Sequence, residues 1–443
     1  MEIRIPKDAK SIIDKLAEAG YEAYIVGGCV RDCLLGLTPD DWDITTNALP
    51  EQVKELFRRT IDTGIEHGTV TVMIGNEGYE VTTYRTDGAY SDGRHPDKVT
   101  FVPSLEEDLK RRDFTINAMA YNDTEGLVDL FGGRSDIEKK TIRCVGCADE
   151  RFSEDALRMM RAVRFAAKLG YSIDDEATAS IKKLAPTLSK VSAERITTEL
   201  TKLLVSDHPE MVETLYETGL TKGFFPEFDK AFDTPQVHPH HCFNVGKHIT
   251  ESVKHSQNDR IVRFAMLLHD IGKPDTMTVD EKGITHFHGH PALGARMGEE
   301  IMRRWKLDND TIFRVCRLIK NHDMGKGREC TPAFTRKAVS VMEDDFPRLL
   351  EVMKADVLAQ SDFRRREKLE TIEKYGKEYE RIINEGECCS LKELALSGRD
   401  LISAGMTPGP AMGEILGKLL ERVIEDPGLN DRDKLLSLAK EYL

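Results

Sequence analysis

No stretch of this sequence approaches the ~20 consecutive apolar residues that a membrane-spanning helix requires. The opening segment, MEIRIPKDAKSIIDKLAEAG, has no apolar export core either. No membrane association is expected, and a cytoplasmic location is. Cysteine is scarce: nine residues, an odd number, lie scattered along the chain and read as reduced thiols rather than a disulfide framework. Cys144 and Cys147 form one C-x-x-C in IRCVGCADE, but no second pair follows at zinc spacing, so an inert pair is expected there and at Cys388-Cys389. Internal repeats and low-complexity tracts are absent as well. So is an excess of positive charge: 63 Lys and Arg stand against 77 Asp and Glu, a formal net charge of -14. A chain this acidic does not coat nucleic acid wholesale, because phosphate contacts need cations. A local basic groove on an acidic body stays open, since the field depends on how charge is distributed.

What is there is a chain of 443 residues, 40% hydrophobic and 32% charged, which reads as globular. That length suffices for about two to four domains. Residues 7 to 19 and 50 to 59 have the periodicity of amphipathic helices. EAYIVGG, GTVTVMIG and YEVTTYR are β-branched, bounded by Gly, and read as strands. Beyond about residue 150 strand signals nearly vanish. SEDALRMMRAVRFAAKLG reads as one helix, with Ser153 as its cap, Glu154 and Asp155 in its first turn and Gly170 as its stop. SAERITTELTKLLVS reads as another. A Pro- and His-rich loop, FFPEFDKAFDTPQVHPHHC, precedes a third section. The expected architecture is α+β: a small mixed-sheet head at 1–140, a helical neck at 141–240, a third section at 241–365 and a helical tail at 366–443.

The head carries the first candidate chemistry, in YIVGGCVRDCLLGLTPDDWDITTNA. In an extended segment residues i and i+2 point to one side, so Asp41 and Asp43 project together. Two carboxylates that close repel unless a cation lies between them. Mg2+ takes such oxygen ligands and keeps positions free for water and phosphate. Ions held this way activate an attacking hydroxyl and stabilise a leaving pyrophosphate. Glu80, on a later expected strand, is a candidate third carboxylate. Gly27 and Gly28 follow an apolar strand, and their N–H groups can approach a triphosphate because no Cβ intervenes. Arg31 adds a charge-assisted donor. The alternative is a glycine turn followed by a solvated loop; the order and spacing of the two features favour nucleotidyl transfer.

VGGCVRD…DDWDITTNA resembles the opening motif of the family of tRNA nucleotidyltransferases and bacterial poly(A) polymerases, the class II branch of the polymerase-beta-like superfamily. The likeness continues through YEVTTYRTDGAYSDGRHPDKVTFVPSLEEDLKRRDFTINAMAY, VDLFGGRSDIEKKTIRCVG and RFSEDALRMMRAVRFAAKLGY, in the same order, over residues 20 to 171. It implies a polymerase-beta-like head in which Asp41 and Asp43 hold catalytic Mg2+. It implies that Arg111, Asp113 and Asn117 of RRDFTINA contact sugar and phosphate, where the motif by itself reads as a charged helix start packed by Phe114 and Ile116. It also implies a mobile loop from Asp87 to Asp97.

Base choice without a template has a chemical solution. Cytosine and adenine each present an exocyclic amine donor beside a ring-nitrogen acceptor; uracil and guanine present the reverse. An Asp accepting from the amine and an Arg donating to the ring nitrogen therefore admit C or A and leave U or G mispaired. Each mispaired buried group costs about 1–3 kcal/mol. Asp155 and Arg158, three apart on the expected helix, share a face and could do this or simply pair with each other. The resemblance favours selection, because EDxxR carries base choice in that family; Glu154 belongs to the same motif. Arg158, Arg161, Arg164 and Lys168 recur near helical spacing and face either phosphates or solvent.

The third section places His269 and Asp270 after the apolar VRFAMLL, with His248 upstream and His290, His322 and Asp356 downstream. Mixed imidazole and carboxylate ligands suit a divalent transition metal. The order resembles the HD phosphohydrolase family over residues 245 to 360, with ligands at His248, His269, Asp270 and Asp356 and two-metal positions at His290 and His322. The resemblance implies hydrolysis of phosphorylated or cyclic phosphate 3′ ends; a degenerate structural fold is the alternative. His238, His240 and His241 of HPHHC are expected to be only a loop.

Together these features imply addition of C, C and A to tRNA 3′ ends from CTP and ATP, with release of pyrophosphate. A poly(A) polymerase would share the head but often carries a long basic tail, which is not seen here. A CC-adding enzyme would lack the loop between Tyr84 and Thr100. An A-adding enzyme stays open. A hydrolase whose head only binds RNA, or a non-enzymatic RNA-binding protein, would have no use for Asp41 and Asp43. The tail SAGMTPGPAMGEILGKLLERVIEDPGLNDRDKLLSLAKEYL is assigned to the acceptor arm and elbow by analogy alone.

Overall fold

A computed structural model describes residues 3–87 and 99–442, which fall into two compact units, 1–226 and 227–443. The expected loop from Asp87 to Asp97 lies, after its first residue, outside the described residues.

In the first unit the strands of the head are β1 (Ala23–Val26), β2 (Ile44–Thr46), β3 (Thr60–Gly64), β4 (Thr69–Ile74), β5 (Glu77–Thr83), β6 (Arg85–Asp87), β7 (Val99–Phe101), β8 (Ala120–Asn122) and β9 (Gly126–Val128), besides a short parallel pair of Thr141–Ile142 with Ser172–Ile173. Seven of them form one mixed sheet in the order β3-β4-β5-β2-β1-β8-β9. β2 and β5 run parallel; the other neighbours are antiparallel. β1 is buried along its whole length, which is why it reads as an unbroken apolar run rather than an alternation. Helices α1 (Lys7–Glu18), α2 (Gly28–Leu34) and α3 (Pro50–Leu56) accompany the sheet, and α1 turns Ala9, Ile12, Ile13 and Leu16 into the core. α4 (Leu105–Lys110) and α5 (Gly133–Lys139) complete this part.

The helices that follow are α6 (Ala148–Glu154), α7 (Leu157–Leu169), α8 (Asp175–Leu184), α9 (Ala193–Leu204) and α10 (Val212–Glu217). Here the single helix expected over SEDALRMMRAVRFAAKLG is corrected to two. Ser153 lies in the last turn of α6 and caps nothing, and Asp155 is extended at φ -142, ψ 106. The cause is local competition: the Asp155 carboxylate takes the Leu157 N–H at 3.0 Å and Arg195 at 2.7 Å, which holds its backbone out of the helix. Gly170 does end α7, in the left-handed region at φ +66.

The second unit contains α11 (Pro226–Phe232), α12 (Val245–His255), α13 (Arg260–Leu268), α14 (His290–Arg304), α15 (Asn309–Asn321), α16 (Pro332–Met342), α17 (Phe346–Leu358), α18 (Arg365–Glu385), α19 (Gly398–Ser403), α20 (Pro410–Glu425) and α21 (Arg432–Ala439). α11 stands inside a segment expected to be wholly loop. A hairpin of Met277–Val279 with Thr285–Phe287 was not expected; the intervening turn is closed by Asp280, whose carboxylate takes two backbone N–H groups. Side-chain caps fix where the ligand-bearing helices begin: Asn244 for α12, Asp259 for α13 and Asp308 for α15. Among the described residues no helix is long and apolar enough to cross a membrane.

Candidate functional site

The head cavity, about 510 Å³, opens where β1 meets α2. Val26 N–H donates to the Asp43 carbonyl at 3.0 Å, so the β1–β2 ladder runs on past the strand and sets Asp43 beside the glycine turn. Gly27 has φ +82, a left-handed backbone that strains any other L residue, and that is why glycine stands there. Asp41 and Asp43 both line the cavity. Desolvation raises the Asp43 carboxyl, Arg112 opposes, and the charges of Glu80 and Asp41 raise it further. Crowded carboxylates of this kind fit a divalent cation. Glu80 itself is exposed on β5 outside the cavity wall, and it forms no three-ligand cluster with the aspartates.

The rest of the wall is cationic. Seven arginines and one lysine line it against six aspartates, so an acidic chain does present a local basic surface. Arg31 donates to Asn117 Oδ1 at 2.6 Å and to Asp32 Oδ1 at 2.8 Å. Arg111 pairs with Asp108 at 2.8 Å. Burial pushes Asp113 up, but Arg161 and Arg158 outweigh it and hold the carboxyl below the usual range. Arg161 Nε donates to Asp113 at 2.7 Å, and Arg164 Nε donates to Glu199 at 2.5 Å. Neither is part of a solvated stripe; both brace the cavity from inside. Gly28, Arg111, Asp113 and Asn117 stand on the same wall, as does Lys168.

Asp155 and Arg158 also face this cavity, but not as a pair on one helix face. Arg158 Nη1 donates to Glu154 at 2.5 Å and to the Arg151 carbonyl at 3.3 Å, while its Nη2 reaches the Arg111 carbonyl at 3.2 Å. Asp155 pairs instead with Arg195. Arg112 was passed over although it lies in RRDFTINA, and Arg195 and Glu199 were missed because no motif marks them and only tertiary folding brings them here. Glu154 holds Arg158 from outside the cavity wall.

A second centre lies in the other unit, at the ends of α12, α13, α14 and α15 and on α17. His248 Nε2 and His269 Nε2 are 3.3 Å apart, with Asp356 Oδ1 at 2.9 Å from the former. His290 Nε2 and His322 Nε2 are also 3.3 Å apart. Asp270 spans both groups: Oδ2 lies 3.3 Å from His248 and 3.2 Å from His269, and Oδ1 lies 3.3 Å from His290 and 3.8 Å from His322. All six side chains are buried.

The tautomers are set from behind. Nδ1 of His269, His290 and His322 faces the carbonyls of Met266, Phe287 and Ile319 at 2.8, 2.7 and 2.6 Å, and that of His248 faces Ala359 at 3.4 Å. A carbonyl only accepts, so Nδ1 carries the proton and the Nε2 lone pairs converge. Gln360 similarly holds Asp356 Oδ2 at 2.8 Å, turning Oδ1 inward. Lone pairs 3.3 Å apart repel unless a cation lies between them. Both Asp270 oxygens are buried without a hydrogen bond, although Lys273 Nζ is 2.6 Å from Oδ2. Burial would raise Asp270 and Asp356, yet neighbouring histidines hold both well below the usual range, and burial pushes His322 down to about 4. Ionised carboxylates and a neutral imidazole are the states that metal ligation needs. Burial lowers His269, but Asp270 outweighs it and raises it, so the field here draws in positive charge.

The centre opens into a cavity of about 870 Å³. The HPHHC trio, expected to be only a loop, forms part of its wall: the His241 ring packs 5.6 Å from that of His248, and His238 and His240 line the cavity. Lys273, Asp323 and Lys326 line it too and carried no signal in the sequence. Cys144 and Cys388 are buried free thiols, and Cys147 is exposed.

The glycine turn, the carboxylate pair and the arginine-lined cavity on a mixed sheet define a nucleotidyltransferase. The Poly A polymerase head domain matches residues 23–143, the probable RNA- and SrmB-binding site of polymerase A matches 170–232, and tRNA nucleotidyltransferase domain 2 matches 292–439. A CCA-adding enzyme of Limosilactobacillus reuteri is 38% identical over 98% of this chain and 96% of its own length. One from Lactiplantibacillus plantarum is 36% identical over 98% and 95%. The crystal structure of the Bacillus stearothermophilus CCA-adding enzyme in complex with CTP superposes with TM-score 0.72 at 32% identity, over 98% of this chain and 96% of that one. The Thermotoga maritima CCA-adding enzyme complexed with tRNA shares the fold, with TM-score 0.63 at 20% identity over 99% and 96%. The chain belongs to the CCA-adding enzyme family and is a metal-dependent nucleotidyltransferase.

Proposed function

We propose that this chain adds C, C and A in turn to the 3′ end of tRNA, taking CTP and ATP and releasing pyrophosphate. The observation that carries this reading is one cavity lined by Asp41, Asp43, Gly27, Gly28, Asp155 and Arg158. Mg2+ held by Asp41 and Asp43 would activate the terminal ribose hydroxyl and stabilise the departing pyrophosphate. The chain's own groups do the rest. The Gly27-Gly28 turn lets the triphosphate approach the backbone. Arg111, Asp113 and Asn117 hold sugar and phosphate, with Arg161 bracing Asp113 and Arg164 held by Glu199 on the same wall. Asp155 uses three of its about four acceptor directions on Leu157 and Arg195, which leaves one for an exocyclic amine. Arg158 supplies the donor to the ring nitrogen. The four-part division at 140, 240 and 365 remains our assignment of head, neck, metal section and tail. The test is a calorimetric panel of four nucleoside triphosphates with Mg2+ on the full chain. CTP and ATP should bind about tenfold tighter than UTP and GTP, and Arg158→Ala should erase the difference. Equal binding of all four by the unaltered protein would overturn the selection.

A second reading is favoured by the Asp270-bridged centre: a divalent transition-metal phosphohydrolase. Such ions would polarise a phosphoryl oxygen and lower the pKa of a water. His269→Ala should lose the bound metal on dialysis while nucleotide addition continues; retention of full metal content would count against the centre.

A further inference from the structure

One buried carboxylate behind the head cavity has no part in either reading. Asp108, in α4, has no solvent exposure and stands off the cavity wall, yet it meets both arginines of RRDFTINA that line that wall. Arg111 donates Nε and Nη2 to its Oδ1 at 3.0 and 2.8 Å, and Arg112 Nη2 stands 3.5 Å from Oδ2. The same carboxylate takes the Thr45 hydroxyl on Oδ2 at 3.2 Å and the Arg85 N–H on Oδ1 at 3.4 Å. Thr45 follows Asp43 by two residues in the extended segment, so the two face one side. Asp108 thereby ties the strand that leads out of Asp43 to the arginine pair. Burial pushes its carboxyl up, but Arg111 and Arg112 outweigh that and hold it below the usual range, so it stays ionised.

Two features point beyond packing. One carboxylate set against two guanidinium groups leaves positive charge over, which suits a phosphate-bearing ligand on the wall. Arg112 is also under-committed: its Nε is buried without a hydrogen-bond partner, and Asp108 is its ion-pair partner among the described residues. Arg112 is at the same time the cation whose charge opposes the burial of Asp43. Released from Asp108, its guanidinium would be drawn to Asp43 and would neutralise a carboxylate that a divalent cation needs.

We infer that Asp108 is a positioning residue for nucleotide transfer: it holds Arg111 and Arg112 on the cavity wall for the incoming nucleotide and keeps Arg112 from pairing with Asp43. The inference rests on the nucleotide-addition reading above. Asp108 acts only through the two arginines, as an outer group that orients the inner ones.

Asp108→Asn keeps the shape and removes the charge, and the full chain with Mg2+ tests it. KM for CTP and KM for ATP should rise together by about tenfold, with kcat held within about threefold. Calorimetric binding of CTP should weaken in parallel. In an Arg112→Ala background the same substitution should have a smaller effect, because a residue that acts through another is not additive with it. An unchanged KM, or a fall in kcat and thermal midpoint with KM unmoved, would overturn the role. So would an equal rise in the Arg112→Ala background. If the Asn chain does not fold, Thr45→Val decides: it loosens Oδ2 but keeps the charge, and KM should rise about threefold. An unchanged KM in that variant would overturn the role as well. Unaltered protein that binds no CTP would instead overturn the nucleotide-addition reading beneath it.

Discussion

Asp43 is desolvated beside Asp41 and Glu80, and keeping its carboxylate ionised there costs stability in return for a cation site. Asp43→Asn should abolish nucleotide addition, by about a thousandfold or more given the loss of a metal ligand, while the thermal midpoint holds or rises; paired melting and incorporation assays check both. Asp155→Asn puts an amide where an acceptor is needed, and an amide can turn to offer either edge. Preference for CTP over UTP should fall about 10–100-fold, measured by competitive incorporation. At this scale the sequence was informative wherever residues close in the chain act together: the Gly27-Gly28 turn, the Asp41 and Asp43 pair, the RRDFTINA run. It was silent on Arg195 and Glu199, because their roles come from a distant helix folded against the cavity. It misled at Asp155 and Arg158, because spacing by three assumes an unbroken helix.

Elements with one buried face, such as α1 and β5, were legible because that face imposes the period, and β1 was legible as an unbroken apolar run bounded by glycine. The α6–α7 break and the hairpin at Met277–Phe287 were not: each turns on one aspartate side chain competing for backbone N–H groups, which periodicity cannot register. Close approach of elements is equally invisible in sequence. Gly272 shows this: a Cβ there would lie 2.7 Å from both the Gly294 nitrogen and the His290 carbonyl oxygen, backbone atoms that cannot yield locally. Gly272→Ala should force α14 away from the end of α13 and carry His290 with it. Expected are a loss of about 1–3 kcal/mol and fewer metal ions per chain than the unaltered protein, read by denaturation and elemental analysis.

For the whole molecule, the charge balance of -14 conceals a head recess lined by more arginine and lysine than aspartate, which suits an acidic chain to a phosphate-bearing ligand. Stability in the second unit also depends on charge. Asp345 is fully buried, paired with Arg314 and Arg317 at 2.5 Å and with Arg348 at 3.1 Å. Burial pushes its carboxyl up, but the hydrogen bonds from Arg314 and Arg317 outweigh this and hold it below its usual value. A folded value below the unfolded one means that the stabilisation is fully present above about pH 4 and is lost as pH falls through the folded value. Asp345→Asn should cost about 2 kcal/mol at neutral pH, because the arginines are only partly buried, and the gap should narrow below about pH 4. The order of motifs along the chain made both centres legible at this scale, whereas the HPHHC wall became visible only when the fold set its rings against His248.

The most direct measurement takes a tRNA transcript lacking its last three nucleotides, the unaltered chain, Mg2+, CTP and ATP, with products resolved to one nucleotide. Extension should stop after about three additions, the first two requiring CTP and the last ATP, as the one-pocket reading for C and A demands. A ladder grown from ATP alone, a stop after the two C residues, or addition of a single A only to ends already carrying them would contradict it.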